Sequence, residues 1–170
     1  FIWVGSDLIE WDENTKFELW RWNPFDHYSK GIYDSYGHTW EDAMLKGKYA
    51  WLHTNALYFD DSENALYVSH RNISTITKIA YPSGDIIWNL GLPDQYIGSG
   101  NNNICTDLLF SWQHNIQLLD NGNLLFYDNG VLSKIFRNTN EKITRMLEIK
   151  IIDDNYCEII WEYDLPSELY

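Results

Sequence analysis

The sequence has few basic residues and no long apolar run. It contains 12 lysines and arginines against 25 aspartates and glutamates, which gives a formal net charge of −13 at pH 7. Nucleic-acid binding depends on neutralising phosphates with basic side chains, and no lysine or arginine cluster occurs, so we expect no nucleic-acid partner. No apolar run approaches the roughly 18 residues of a membrane span, so we expect no such span. The simplest role of the acidity is solubility.

Cysteine is also scarce, with Cys105 and Cys157 the two in the chain. They could form a disulfide in an oxidising compartment or remain buried thiols, and two cysteines leave both alternatives open. Asn72 begins an Asn-Ile-Ser triplet that fits a glycosylation sequon, a short pattern that also arises by chance. No charged and apolar leader precedes Phe1, so we expect a signal peptide to be absent or already removed.

An internal repeat is the strongest architectural signal. The 170 residues are 45% hydrophobic and 16% aromatic, which is ample for the core of one domain. Residues 17–22, 85–90 and 158–163 each combine apolar residues with a tryptophan, and each is followed closely by a proline. Because the copies recur with the spacing of four strands, the pattern predicts a repeated unit that ends in an aromatic outer strand.

The repeat predicts an all-β fold, a β-propeller of four-stranded antiparallel blades. A β-sandwich is the alternative, and the tryptophan-bearing repeat argues against it. We predict the end of one blade in residues 1–27, a second blade in 50–92 and a third in 112–166, with loop insertions at 28–49 and 93–111. These are about two and three-quarter blades, fewer than the four or more that close a propeller. The expected partners therefore include the remaining blades, from the same polypeptide or from other chains.

Two predicted hairpins carry polar residues at the same end. Residues 120–123 (Asp-Asn-Gly-Asn) supply the positive φ angles of a tight turn, which makes His114 and Asn129 neighbours across the hairpin. The same layout upstream makes His53 and Arg71 neighbours. We therefore predict that the two hairpins present a histidine at the same point.

Six polar residues are predicted to share this end of the blades, because Arg145 starts a third strand and His27 follows an outer strand. First strands line the channel of a propeller, so His53 and His114 should converge near its axis beside Arg71. Two imidazoles and a guanidinium suit an oxyanion, and a histidine can also act as nucleophile. Both insertions should rise around these residues as the wall of a substrate cleft.

These residue types also have other roles in proteins. A polar residue at a strand end often only bonds a neighbouring blade, but three at one end favour a functional site. A metal site needs three or more ligands, and no carboxylate or cysteine is clearly placed to complete one, so we expect neither metal nor cofactor. We interpret His38 and His70 as ordinary loop or strand-end residues.

Five segments carry a recognisable pattern: 51–55 (Trp-Leu-His-Thr-Asn), 67–71 (Tyr-Val-Ser-His-Arg), 86–91 (Ile-Ile-Trp-Asn-Leu-Gly), 112–115 (Trp-Gln-His-Asn) and 126–130 (Phe-Tyr-Asp-Asn-Gly). They resemble the arylsulfotransferase family of bacterial aryl-sulfate sulfotransferases and their relatives. The resemblance covers most of the chain from Trp20 onward. Members are six-bladed propellers, generally periplasmic or secreted, that move a sulfuryl group between phenols without a nucleotide sulfate donor.

The resemblance implies a ping-pong reaction between a phenolic sulfate donor and a phenol acceptor. It implies that His114 is the nucleophile that becomes transiently sulfated, and that His53 and Arg71 bind the sulfate oxygens. Asn129, Arg145 and His27 remain possible secondary residues. The sequence departs from the family where residues 131–133 (Val-Leu-Ser) follow the Asp-Asn-Gly segment, in place of the frequent acidic residue, Gly and Arg.

Two other functions stay open from the sequence. One is a non-catalytic propeller of the same ancestry that serves as a binding or structural module. The other is a quinone- or metal-dependent propeller enzyme.

Overall fold

The computed structural model describes residues 2–98 and 102–169, and 41% of the chain forms strands against 16% in helices. Phe1 and residues 99–101, which belong to the first predicted blade and the second predicted insertion, lie outside the described residues. In chain order the strands are β1 (Ile2–Val4), β2 (Leu8–Trp11), β3 (Glu18–Trp22), β4 (Lys48–Ala50), β5 (Thr54–Asp60), β6 (Ala65–His70), β7 (Thr75–Ala80), β8 (Ile86–Gly91), β9 (His114–Leu118), β10 (Leu124–Asp128), β11 (Arg145–Ile152) and β12 (Tyr156–Asp164). The α-helices are α1 (Pro24–His27), α2 (Thr39–Lys46), α3 (Asp94–Ile97) and α4 (Ser133–Phe136), and 3₁₀ helices form at Thr106–Leu108 and Ser167–Leu169.

Two four-stranded antiparallel sheets dominate the fold, and they confirm the four-stranded antiparallel units of the prediction. The first sheet runs from β5 to β8 and the second from β9 to β12, each strand pairing with the next along the chain. The described strands do not close into a barrel. The turn between β9 and β10 is the predicted one, and Gly122 adopts the positive φ of 81° that this turn requires.

One hydrophobic core joins the two sheets, because the first strands β5 and β9 lie side by side. All six residues of β6 are buried, as expected of an inner strand covered on both faces. Burial in β10 alternates along the strand, in the pattern of a strand with one buried face. The buried side chains of this core are Tyr67, Ile76, Trp88, Leu90, Cys105, Leu108, Phe110, Ile116, Leu124, Phe126, Leu147, Ile149 and Cys157.

The first strand, β1, does not pair with the other strands of residues 1–27, with which the sequence analysis grouped it. β2 and β3 form an antiparallel pair, whereas β1 pairs in parallel with β4, near the end of the first insertion. The aromatic core explains this pairing, since the ring of Trp3 packs edge-on against Tyr49 at 5.1 Å and against Trp51 at 5.6 Å.

The two insertions contain more regular structure than the loops expected there. The first includes helix α2 and reaches β4, and the second includes helix α3 and a 3₁₀ turn. Aromatic rings join the insertions to each other, because Tyr36 of the first lies 5.5 Å from Tyr96 of the second. The ring of Phe136, in the segment after β10, lies 5.5 Å from that of Tyr36 and belongs to the same aromatic cluster.

Cys105 and Cys157 form a disulfide, which decides between the two alternatives left by the sequence. The bond ties the second insertion to β12 across a sequence separation of 52 residues. Closing a loop of that size stabilises the fold by about 4 kcal/mol in the chain-entropy description. The outermost strand of the second sheet is thus anchored covalently beside the core.

The glycosylation sequon at Asn72 is buried. The side chain is 4% exposed, and its amide nitrogen donates to the carbonyl of Ala50 at 2.7 Å. Its amide oxygen accepts from Arg71 at 2.8 Å. Because both atoms of the amide are used inside the protein, the folded chain has no room for a glycan at this asparagine.

His70 ends strand β6, as expected, but it is fully buried rather than an ordinary residue of the protein surface. Its Nδ1 lies 3.0 Å from the hydroxyl of Thr54, and its ring packs against those of Trp22 and Tyr28, with centroids 6.3 Å and 5.5 Å away. Burial lowers the pKa of His70 to about 3. The imidazole therefore stays neutral wherever the protein is folded near neutral pH.

The pH dependence of stability should report this buried imidazole. The unfolded chain binds a proton at His70 below about pH 6.5, whereas the folded chain does so only near pH 3, so stability is lost as the pH falls through this window. Because of His70, the free energy of unfolding should fall by up to about 1.4 kcal/mol for each pH unit of acidification in this window. Urea unfolding at a series of pH values measures this slope.

A matched pair of variants isolates the contribution. His70→Gln should flatten the slope, whereas His38→Gln should leave it unchanged, because the side chain of His38 is 62% exposed. Equal slopes for the unsubstituted protein and His70→Gln would contradict the assignment.

Candidate active site

The ends of the two first hairpins bring together the residues that the sequence singled out. The backbone N–H of Arg71 donates to the carbonyl of His53 at 3.2 Å. In the second sheet, the side-chain amide of Asn129 lies 3.1 Å from Nδ1 of His114. Both neighbour relations agree with the hairpin argument, because the start of a first strand and the end of the second strand meet at one end of an antiparallel pair.

The two histidines do not occupy the same register position, which corrects the expectation from sequence. His114 is the first residue of β9 and pairs with Tyr127. His53 instead precedes Thr54, which is the residue that pairs with His70. The histidine of the first sheet is therefore displaced by one residue relative to its counterpart.

A bulge at the start of each first strand accompanies this displacement. The register of β5 on β6 shifts at Asn55, and that of β9 on β10 shifts opposite Phe126. The backbone φ angles of His53, Trp112 and Asn115 are 51°, 55° and 54°, in the left-handed region that side chains other than glycine seldom adopt. Bulges and left-handed residues redirect side chains, and here they flank both histidines.

A buried glutamine fixes the second hairpin against the first sheet. The Nε2 of Gln113, which is 0% exposed, donates to the Ser69 hydroxyl at 3.0 Å and to the carbonyls of His70 at 3.3 Å and Thr75 at 2.9 Å. The carbonyl of Gln113 accepts in return from the amide of Asn55 at 2.9 Å. This inter-sheet clamp sets the position of the next residue, His114, relative to the first sheet. The sequence reasoning missed it, although the glutamine lies within the Trp-Gln-His-Asn motif.

Arg71 is held by an aromatic ring and an amide. Its guanidinium carbon lies 3.6 Å from the centroid of the Trp112 ring, a close cation–π contact, and one of its nitrogens donates to Asn72. Burial lowers the pKa of Arg71, and the carboxylate of Asp34 in the first insertion opposes that effect. An arginine stays charged under such opposing influences, so the site holds a fixed cation.

Both candidate histidines have lowered pKa values. For His114 burial is the largest cause, and the charge of Arg71 also lowers the pKa, whereas the Trp112 carbonyl raises it. For His53 burial again lowers the pKa most, followed by the charges of Arg71 and His114. The two imidazoles are therefore neutral at pH 7.

The hydrogen bonds of His114 select its tautomer. Its Nδ1 lies 3.0 Å from the carbonyl oxygen of Trp112, which can only accept, so Nδ1 carries the proton. The lone pair consequently resides on Nε2. The side-chain amide of Asn129 lies beside the same Nδ1. Rotating this amide by half a turn exchanges its nitrogen and oxygen, and the oxygen can then accept from the Nδ1–H group.

Arg145 and His27 make their contacts elsewhere. Arg145 is 5% exposed, and its guanidinium donates to Asp128 at 2.8 Å, to Glu162 at 2.6 Å and to the carbonyl of Leu108. This places the charge of Arg145 inside the second sheet. His27 is exposed and stacks on the Trp22 ring with centroids 4.6 Å apart.

A cleft opens beside His53 and Arg71, with a volume of about 310 Å³. The first insertion forms its wall, as expected from the position of that segment in the sequence. No described residue of the second insertion lines the cleft, which corrects the expectation that both insertions do so, and His114 is not among the lining residues either. The cleft is of the size that small-molecule sites have in proteins. The lining residues are Thr39, Asp42, Ala43, Lys46, Lys48, Tyr49, Ala50, His53, Arg71 and Asn72.

Residues 2–98 and 102–169 lack two features that other functions would need. They contain no group of three or more histidine, cysteine, aspartate or glutamate side chains that could hold a metal ion. None of their helices is long and apolar enough to cross a membrane.

The fold and the site define a protein of four-stranded antiparallel sheets that gathers two neutral imidazoles and a guanidinium at its strand ends. The model of the arylsulfotransferase (ASST) family matches residues 3–170. The chain therefore belongs to the arylsulfotransferase family, as the resemblance in its sequence indicated. Membership supports aryl sulfotransferase activity in general and implies phenolic substrates. Comparison with curated proteins gives no match.

Proposed function

We propose that this chain carries the sulfuryl-transfer site of an aryl-sulfate sulfotransferase in which His114 is the nucleophile. The enzyme would move a sulfuryl group from a phenolic sulfate ester to a phenol without a nucleotide sulfate donor. The observation that carries the proposal is the hydrogen bond from Nδ1 of His114 to the Trp112 carbonyl, which leaves a lone pair on Nε2 in the neighbourhood of Arg71.

In the first half-reaction, Nε2 of His114 attacks the sulfur of the donor. The N–S bond forms as the S–O bond to the ring breaks, and the phenolate leaves with the bonding pair and takes a proton from solvent. The ring of His114 gains positive charge in this step, and its Nδ1–H bond to the Trp112 carbonyl offsets that charge. In the second half-reaction the acceptor phenol attacks sulfur, the N–S bond breaks, and the phenol proton passes to solvent.

Arg71 and His53 are assigned to the sulfate oxygens. The guanidinium presents a planar fork of donors, which suits the oxygens of a sulfate group. The stack on Trp112 restrains that fork before the substrate arrives, so little reorganisation is needed as charge develops. His53, neutral at pH 7, would donate its one ring N–H to another oxygen of the sulfate.

We also propose that the chain forms part of a six-bladed propeller. Apolar side chains remain exposed on an edge strand of each sheet, with Leu57 of β5 at 52% and Ile160 of β12 at 49%, and further sheets would cover them. The disulfide supports a periplasmic or secreted location, because such bonds persist in oxidising compartments.

The test is to trap the sulfated enzyme. Incubating the purified protein with 4-nitrophenyl sulfate and no acceptor should release one equivalent of nitrophenol in a burst and add the mass of one SO₃ group to the intact protein. Peptide mapping should place that group on His114. Adding a phenol should then remove it and yield the new aryl sulfate.

A protein that releases no nitrophenol and gains no mass would overturn the proposal. The alternative, a non-catalytic module of the same family, would then be favoured. An adduct on a residue other than His114 would retain the reaction class and reject the nucleophile.

A further inference from the structure

The cleft beside the proposed site is locally cationic in an acidic protein. Of the 12 lysines and arginines in a chain of net charge −13, three line this cleft. Arg71 lies with His53 at the site, and Lys46 and Lys48 belong to the first insertion and its closing strand. A cationic cleft in an acidic surface concentrates anionic ligands locally.

The two lysines differ in how their charge is used. Lys46 pairs with Asp42 one helical turn earlier, at 3.1 Å, so that carboxylate offsets its charge. Among the described residues, the salt bridges include none to Lys48. Lys48 thus brings a cation to the cleft that no carboxylate of the described chain neutralises.

The strand geometry places Lys48 on the cleft side. Burial along β4 alternates, with Lys48 and Ala50 exposed and Tyr49 buried between them. Successive side chains of a strand point to opposite faces, so Lys48 shares a face with Ala50, which also lines the cleft. Tyr49 lies on the opposite, buried face of the strand and is 2% exposed.

We propose that the cleft selects aryl sulfates and phenols that carry a second anionic group on the ring, such as a carboxylate, and that Lys48 binds this group. The inference rests on the proposed function and adds its substrate class. The sulfate lies at Arg71 and His53, the ring lies along the wall formed by the first insertion, and the carboxylate faces Lys48. A cleft of about 310 Å³ suits a single ring with its two substituents.

The expected effect is modest because Lys48 is exposed. An exposed ion pair changes affinity by about two- to five-fold, and reversing the sign of one partner changes it by about tenfold. Salt screens such pairs, so the effect should diminish as the ionic strength rises.

The experiment compares 4-sulfooxybenzoate with 4-nitrophenyl sulfate as donors for the full protein. Lys48→Gln should raise KM for the carboxylated donor about three-fold and Lys48→Glu about tenfold, with KM for the nitrophenyl ester unchanged. Lys150→Gln removes an exposed lysine of β11 and should alter neither value. In high salt the selectivity of the unsubstituted protein should fall toward that of Lys48→Gln.

The outcomes separate this inference from the proposed function. If the nitrophenyl ester is turned over but the Lys48 variants do not change KM specifically for the carboxylated donor, the role of Lys48 is overturned. The proposed function then stands. If neither ester is turned over, calorimetric binding of the two esters to the same variants decides it. Equal changes for both esters, or none, would then contradict the role of Lys48.

Discussion

Replacing His114 by asparagine should abolish sulfuryl transfer, with kcat reduced by on the order of 10⁴-fold or more. Asparagine has no lone pair at the position of Nε2, so the N–S bond cannot form. Arg71 and His53 remain in place, and the affinity for an aryl sulfate should therefore change much less than kcat. Stopped-flow release of nitrophenol measures the first half-reaction directly, and calorimetry measures binding.

The matched control is His38→Asn. His38 adopts a positive φ of 57° at the start of helix α2, and asparagine tolerates that conformation well. This variant should keep both the burst and the turnover. A His114→Asn protein that still shows a stoichiometric burst would contradict the assigned nucleophile, whereas loss of binding without a loss of kcat would reassign His114 to substrate binding.

Replacing Arg145 by methionine should destabilise the protein by about 3–5 kcal/mol, because it leaves a buried carboxylate without its counter-charge. Asp128 is 0% exposed and depends on Arg145 at 2.8 Å. Arg137 lies 3.8 Å from the same carboxylate and offers partial compensation, which favours the lower end of that range. Denaturant unfolding measures the change.

A second substitution distinguishes the structural role of Arg145 from a sulfate-binding role. Asp128→Asn combined with Arg145→Met removes both charges and should recover a large part of the lost stability. Under conditions where Arg145→Met is folded, KM for an aryl sulfate should stay within about two-fold of the unsubstituted value. A stable Arg145→Met protein with a greatly raised KM would show instead that the guanidinium contacts the substrate.

The hairpins were predictable because their signals are local. The Asp-Asn-Gly-Asn turn at 120–123 specifies positive φ angles, and antiparallel pairing then brings His114 beside Asn129. The same reasoning joined His53 to Arg71. The four-stranded sheets followed from a tryptophan repeat whose spacing counts strands.

The features that sequence did not predict depend on partners in other elements. Gln113 reads as a polar residue next to a histidine, and its function as a clamp exists only because Ser69, His70 and Thr75 lie in the adjacent sheet. Arg145 starts a strand, which made it a possible secondary site residue, but its guanidinium forms a salt bridge with Asp128 on the neighbouring strand.

The bulges and the disulfide were hidden for related reasons. One extra residue at Asn55 shifts the register of β5 on β6 by one position. The hydrophobic pattern near the end of the strand does not reveal such a shift. The pairing of Cys105 with Cys157 requires the second insertion to fold back onto β12, and two cysteines carry no information on that path.

The inter-sheet clamp positions His114, the proposed nucleophile, in a way that depends little on the side chains of the first sheet. Of the three groups that accept hydrogen bonds from the Gln113 amide, two are main-chain carbonyls, at His70 and Thr75, which a strand presents whatever its side chains. A first sheet grafted from a relative could therefore hold the second sheet in the same place while changing the side chains at 53 and 71, which we propose bind the substrate. Such a chimera would combine the second sheet of this protein, with His114, and the first sheet of a relative, with different residues at 53 and 71.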